Sequence, residues 1–246
     1  MSLLWPEPPR IVVLTGAGIL RGPGFTTFPG PQGEWAGVSL QEVATPEAFA
    51  RDPARVQAFY NARRRQLLDP AVEPNPVHEA VAMLDVMRPG EVLLATRNID
   101  DLHERAGSRT VIHLQGELLK ARCLVCTRTV EWRGDLRGPE HCPICGNAGH
   151  LRPGVVWIGE QPLGIAPVYR ALASCKLFVA IGTPAATEPA AGFVVEARRA
   201  GARTVEFNAE PAYGNSPFAE HIHGLVTETV PAYVAQLIAA GADPLS

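Results

Sequence analysis

Four apolar residues, Ile11 to Leu14, run into Thr15 and then Gly16-Ala17-Gly18. A short continuous apolar run that ends on small residues reads as a strand buried on both faces, and the tight turn after it can carry backbone amides up to a phosphate. The same design recurs along the chain. Val92 to Thr96 runs into Arg97-Asn98, Val111 to Leu114 into Gln115-Gly116, Leu177 to Ile181 into Gly182-Thr183, and Val205 to Phe207 into Asn208. Helical patterns separate these runs, so the chain is a βαβ series and its fold class is α/β with a parallel sheet. Ligands of such sheets bind outside the carboxyl ends of the strands, where these polar residues fall. Gly-Ala-Gly lacks the full G-x-G-x-x-G spacing, and by itself it reads equally as a plain turn.

The helical patterns cover Thr45 to Leu68, Pro76 to Met87, Ala190 to Ala200 and Pro231 to Ala240. Thr45-Pro46-Glu47 gives the first of them an N-cap followed by proline in the first turn. The glycine- and proline-rich stretch around Phe28 and Trp35 reads as a long loop, either a lid over a ligand or a surface connection. At 246 residues the chain suits one main domain with a small inserted one. Charged residues make up 19% and the formal net charge is -3, which argues against a basic field for nucleic acid. With no run of 18 apolar residues and no secretory pattern in MSLLWPEPPR, neither a membrane span nor an export leader is expected, and the cytoplasm is the default location.

Cys123-x-x-Cys126 and Cys142-x-x-Cys145, with fifteen residues between the pairs, have the spacing of a four-thiolate zinc site. Four cysteines fill a tetrahedron and leave no open position, so the metal would be structural. His141, beside Cys142, is an alternative ligand. Cys175 reads as a small buried hydrophobe.

The segments Gly16 to Ile19, Thr96 to Gly107, Val111 to Leu118, the paired cysteines, Leu151 to Glu160, Ala180 to Thr183 and Phe207 to Pro211 together resemble the sirtuins, NAD-dependent protein-lysine deacylases, in the family's order. The resemblance implies a Rossmann-type, doubly wound large domain from residues 1–30, 76–118 and 160–246. It also implies a cofactor loop with a helical module over 31–75, and a zinc-ribbon small domain over 119–159. It assigns Gly16, Ala17, Gly18 and Ile19 to the pyrophosphate, and places Phe28 and Arg97 along the cofactor. Asn98, Ile99 and Asp100 go to the nicotinamide pocket, Gly182, Thr183 and Pro184 to phosphate and ribose, and Asn208, Ala209, Glu210 and Val226 to the adenosine side. Val156, Trp157, Gly159 and Glu160 would lie along an acyl-lysine peptide as a strand-like partner, on a protein expected to act as a monomer. Tyr60-Asn61-Ala62-Arg63 matches the Tyr-x-x-Arg of the class that removes acidic acyl groups. Residues three apart on a helix face the same way, so phenol and guanidinium can meet one carboxylate.

Five positions depart from the family pattern. Leu20 replaces Ser, Pro29 replaces Arg, Arg97 replaces Gln, Gln115 replaces His, and Pro184 replaces Ser. In the family the acyl oxygen displaces nicotinamide and the His takes a proton from a ribose hydroxyl. Gln115 can hydrogen-bond that hydroxyl but cannot take the proton, a loss of about 10²- to 10⁴-fold. His113 lies one strand repeat away, about 7 Å, too far to serve as substitute base. Arg97 puts a positive charge where an oxocarbenium-like state would form, unless it swings out to solvent. The resemblance therefore leaves three readings: a deacylase impaired at Gln115, a protein that binds NAD or acyl-lysine without turnover, and an ADP-ribosyltransferase, as in sirtuin-like lineages without the His.

Overall fold

A computed structural model describes residues 8–20, 34–35, 37–183, 188–210 and 216–240. In chain order its elements are β1 (Ile11–Thr15), a 3₁₀ turn (Ala17–Leu20), β2 (Glu34–Trp35), β3 (Val38–Ser39), α1 (Leu40–Val43), α2 (Pro46–Arg51), α3 (Pro53–Leu67) and α4 (Pro76–Met87). There follow β4 (Val92–Thr96), α5 (Leu102–Arg105), β5 (Val111–His113), β6 (Gly116–Cys123), β7 (Thr129–Glu131), β8 (Leu151–Val155), α6 (Ile165–Leu172) and β9 (Leu177–Ile181). The chain continues through α7 (Ala190–Arg199), β10 (Arg203–Asn208), β11 (Glu220–His223) and α8 (Val226–Ala239).

Six strands form one parallel sheet in the order β11-β10-β9-β1-β4-β5. Every residue of β1, β4 and β9 is buried, as continuous apolar runs demand. Ile11, Val13, Leu94 and Val179 pack toward α4 and α8, while Val12, Leu14, Leu93 and Phe178 pack toward α6 and α7. The chain leaves β1 toward β4 and β5 and returns on the other side to β9, so the strand order reverses beside β1. That reversal opens the crevice in which ligands of such sheets sit. No helix among the described residues is long and apolar enough to cross a membrane.

Three expectations are corrected. The single helix over Thr45 to Leu68 is two, α2 and α3, because Pro53 disfavours helical geometry at Asp52, whose carboxylate instead caps α3 by accepting from the Arg55 amide. The last helix starts at Val226 and not at Pro231. Burial of Val226, Val230, Val234 and Leu237 against the sheet outweighs the backbone bond that Pro231 forfeits. Strand β11 was not foreseen, since its alternation of charged and apolar residues suits an edge strand with no apolar run.

The small module is built on the antiparallel sheet β7-β6-β8. One face of α3 carries it. Gln57 Nε2 donates to Leu151 O at 3.2 Å, and Asn61 donates to Leu136 O at 2.7 Å and accepts from Leu136 N at 2.9 Å. Arg64, 1% exposed, donates to Leu118 O and Gly134 O as well as to Asn61 Oδ1. Burial pushes its guanidinium down to about 10, so it stays charged at neutral pH.

A buried polar chain lies under the strand ends. The Thr15 hydroxyl donates to Thr96 Oγ1 at 2.8 Å and lies 2.9 Å from His103 Nε2, which places the ring's proton on that nitrogen. The His103 ring meets the His78 ring edge-on, with centroids 4.8 Å apart. His78 closes a capping box with Asn75 at the start of α4, and Asn75 Nδ2 donates to Ile19 O at 2.7 Å. Burial lowers the pKa of His78 to about 4 and that of His103 well below its usual value, so both rings fold neutral. Their contribution is complete above the unfolded pKa near 6.5 and is lost as pH falls below it. Urea denaturation should show stability falling by about 1 kcal/mol per ring between pH 6.5 and 5.5. His103→Gln should flatten that slope while lowering stability at pH 7; an unchanged slope would show that the rings are not neutral in the fold.

Candidate functional site

At the carboxyl edge of the sheet, each residue just past a strand end closes on its neighbour. Arg97 N donates to Thr15 O at 2.9 Å, Gly16 N to Ile181 O at 3.0 Å, Gly182 N to Phe207 O at 2.8 Å and Leu114 N to Thr96 O at 2.9 Å. Gly16 to Ile19, Arg97 to Asp100, Gln115, Gly182-Thr183 and Asn208 to Glu210 therefore lie along one edge. Val226 starts α8 beneath β10 and is buried. Phe28, Pro29 and Pro184 lie outside the described residues; Leu20 is inside them and buried.

Gly18 and Gly182 bring two turns into backbone contact. Gly18 N donates to Gly182 O at 2.8 Å, and a Cβ on Gly18 would stand 2.6 Å from Gly182 Cα. Gly182 has φ +62°, and a Cβ there would stand 2.5 Å from Ile19 N. The amides of Gly16 and Gly18, which the sequence suggested for a phosphate, are thus committed to carbonyls of β9 and its turn. Ala17 is the residue of that turn whose amide makes no backbone bond among the described residues.

Arg97 does not swing out to solvent. Its Nη1 donates to Thr183 Oγ1 at 2.8 Å, across the end of β1, and burial lowers its pKa. Asn98 is buried, its amide held by Thr96 Oγ1 at 3.0 Å, and its Nδ2 has no partner among the described residues. Such an orphan donor fits a ligand amide or hydroxyl. Burial raises Asp100 to about 6, against the pull of the Leu102 amide that its carboxylate accepts. Gln115 is half-buried in the turn between β5 and β6, and its carbonyl accepts from Val156 N at 2.8 Å. His113 pairs instead with Glu104 at 2.7 Å, and although burial opposes the charged ring, that carboxylate raises its pKa. It is engaged away from any role as substitute base.

Tyr60 and Arg63 lie on α3 as expected, but Tyr60 is fully buried, and its hydroxyl accepts from Trp157 Nε1 at 3.1 Å. Arg63 sits over the Phe59 ring at 5.8 Å. Val156 to Glu160 follows β8 without forming a strand, and two of its side chains turn inward. Glu160 receives Arg152 at 2.7 and 2.9 Å and the Trp157 amide at 2.8 Å, and Arg152 stacks 3.4 Å over the Trp157 ring. Burial would raise Glu160, but Arg152 outweighs it and lowers its pKa. The amides of Val156, Trp157, Ile158 and Glu160 are likewise all bonded within the protein.

The sequence reading missed Thr15, Thr96, His103 and Arg152. The recurring threonine at the last position of β1 and β4 was the available signal for the first two.

The four cysteine sulfurs lie within 4.8 Å of one another, with Cys123 to Cys145 at 3.8 Å and Cys126 to Cys142 at 3.7 Å. A tetrahedron with zinc–sulfur bonds of about 2.3 Å has edges of about 3.8 Å, so the donor set and spacing fit a structural zinc. His141 is not part of the cluster, its Nδ1 facing Gly146 O at 3.1 Å. Cys175 is buried, and burial pushes its thiol up to about 11.

Fold and site define a doubly wound α/β protein with a cysteine-clasped small module. The Sir2 family model matches residues 16–189, and the chain belongs to that family. The Escherichia coli (strain K12) NAD-dependent protein deacylase is 49% identical over 94% of this chain and 83% of its own length. The Yersinia pestis protein of that name is 47% identical over 94% of this chain and 84% of its own. A solved Sir2 homolog–NAD complex is 34% identical with TM-score 0.78, over 93% of this chain and 90% of that one. A Sir2 protein bound to a myristoylated histone peptide is 32% identical with TM-score 0.68, over 94% and 91%.

The purified protein should carry about one zinc per chain by metal analysis, the number four thiolates can fill. Chelation should melt the small module before the sheet; well under one zinc with an unchanged melting curve would refute the assignment.

Proposed function

We propose that this chain is an NAD-dependent protein-lysine deacylase of Sir2 type, acting on acylated-lysine proteins and slowed by Gln115. The observation that carries the reading is the similarity to named deacylases over 94% of the chain. The edge described above supports it: Asn98 carries a buried donor with no partner among the described residues, and Asp100 a buried carboxyl two positions on. When bound, NAD supplies the ribose carbon that receives the acyl oxygen.

This chain's residues orient and shield more than they move protons. The backbone amide of Asn98 is held by Thr96 Oγ1, which accepts from the Thr15 hydroxyl, itself bonded to His103, so the buried Asn98 side chain leaves a fixed point of the main chain. Gln115 holds a hydroxyl without accepting its proton. Zinc would hold the small module and do no chemistry. A second reading, binding without turnover, is favoured by that same glutamine.

Gln115→His should raise deacylation of an acyl-lysine peptide by at least about tenfold, read by mass spectrometry with NAD present. No change, with NAD bound tightly, would mean that the base is elsewhere or that the reaction is not deacylation; ADP-ribose appearing on protein would favour transfer.

The acyl preference follows from α3. Succinyl- or malonyl-lysine should be turned over faster than acetyl-lysine, and Arg63→Met should erase the difference. Equal loss on all three substrates would make Arg63 structural.

A further inference from the structure

β11 is the edge strand of the parallel sheet, and it carries two histidines, His221 and His223. Residues two apart on a strand share a face. Ile222 between them packs into the core on the α4 and α8 side of the sheet, so both rings project from the other side, and both are exposed. The rings lie side by side, 13° from parallel, with centroids 6.4 Å apart.

Behind them lies a buried carboxylate. Glu206 stands opposite His221 in the register of β10 and β11 and is 1% exposed. Its Oε1 is 2.6 Å from His221 Nδ1, and its Oε2 has no hydrogen-bond partner among the described residues. A carboxylate only accepts, so Nδ1 holds the proton of that bond, and a neutral His221 ring has its lone pair on Nε2, on the side away from Glu206. Buried carboxylates are kept where they are paired or serve a metal, and a carboxylate behind an imidazole is the arrangement that fixes the tautomer and direction of a metal-binding histidine. The His223 side chain makes only the ring contact with His221 among the described residues, so it can turn about its own torsions.

We infer that His221 and His223 form a chelating site for a divalent transition-metal ion, with Glu206 as the positioning carboxylate and water in the remaining positions. The site is separate from the cysteine cluster and stands whether or not the crevice binds a dinucleotide. Metal–nitrogen bonds of about 2.0 to 2.1 Å hold two ligating nitrogens at most about 4.2 Å apart, so His223 leans toward His221 when one ion joins them. One pinned ligand and one that turns suit an ion that is taken up and released. Imidazole selects Cu2+, Ni2+ and Zn2+ over Mg2+ and Ca2+, which take oxygen donors. His223 stands opposite Asn208 in the register, and Gly224 N donates to Asn208 O at 3.2 Å, so the ion sits on the strand that braces the end of β10.

Isothermal titration calorimetry of the whole, tag-free, zinc-loaded chain at pH 8 with Ni2+ tests this. Wild type should take up one Ni2+ per chain beyond the zinc, and no Mg2+. His221→Ala and His223→Ala should each weaken that uptake by at least about tenfold. Glu206→Gln should weaken it by about 10- to 100-fold and keep the single site, the usual effect of losing a partner behind a ligand. Added Zn2+ should shift the ring signals of His221 and His223 in an NMR spectrum and leave those of His141 and His150, exposed on the small module, in place. Should Glu206→Gln fail to fold, the two exposed histidine variants and the ring signals still decide. No Ni2+ uptake, or uptake that survives both histidine variants, overturns the site; uptake by Glu206→Gln equal to wild type overturns the role of Glu206.

Discussion

The contact between Gly18 and Gly182 sets the geometry of everything at the carboxyl edge. Two turns from strands adjacent in space, but far apart in sequence, meet backbone to backbone, with an amide of one on a carbonyl of the other. A single methyl group on either would separate them. Because Gly16, Gly18 and Gly182 pin the turn after β1 to the turn after β9, Thr183 comes within reach of a side chain from β4. Arg97 makes that reach, across the end of β1.

Much of the fold was legible because fully buried parallel strands must be apolar throughout and must end where the chain turns. β1, β4 and β9 obey both conditions, and their ends carried the polar residues that mark the site. The cysteine spacing was equally plain, since two knuckles and a metal leave little freedom. What was not legible depends on partners remote in sequence. Nothing near Asp52 announces a break except Pro53, and nothing in the run Arg63-Arg64-Arg65 says that the middle arginine is the buried one.

The site was harder to read than the fold. The residue types at the strand ends were correct candidates, but the use of each depended on what reached it. Gly16 and Gly18 spend their amides on the protein. The Tyr60 hydroxyl accepts the Trp157 indole N–H, and Glu160 accepts from Arg152. The direction of Arg97 is set by Thr183, 86 residues later, and could not be inferred from its neighbours. Likewise the pairing of His113 with Glu104 is what separates it from the glutamine two positions on.

The seam between α3 and the small module has a further consequence. Gln57, Asn61 and Arg64 reach main-chain atoms of Leu151, Leu136, Leu118 and Gly134. Those three side chains therefore read the path of the module's backbone, while elsewhere on the helix Arg65 meets the Asp135 carboxylate and Val56, Tyr60 and Leu67 share a core with Leu118, Leu119 and Val155. Such a joint tolerates drift: the surface of the cysteine-clasped lobe can change its charge and shape freely across descendants while its seat on the sheet stays the same, so new recognition surfaces can evolve there without remaking the crevice.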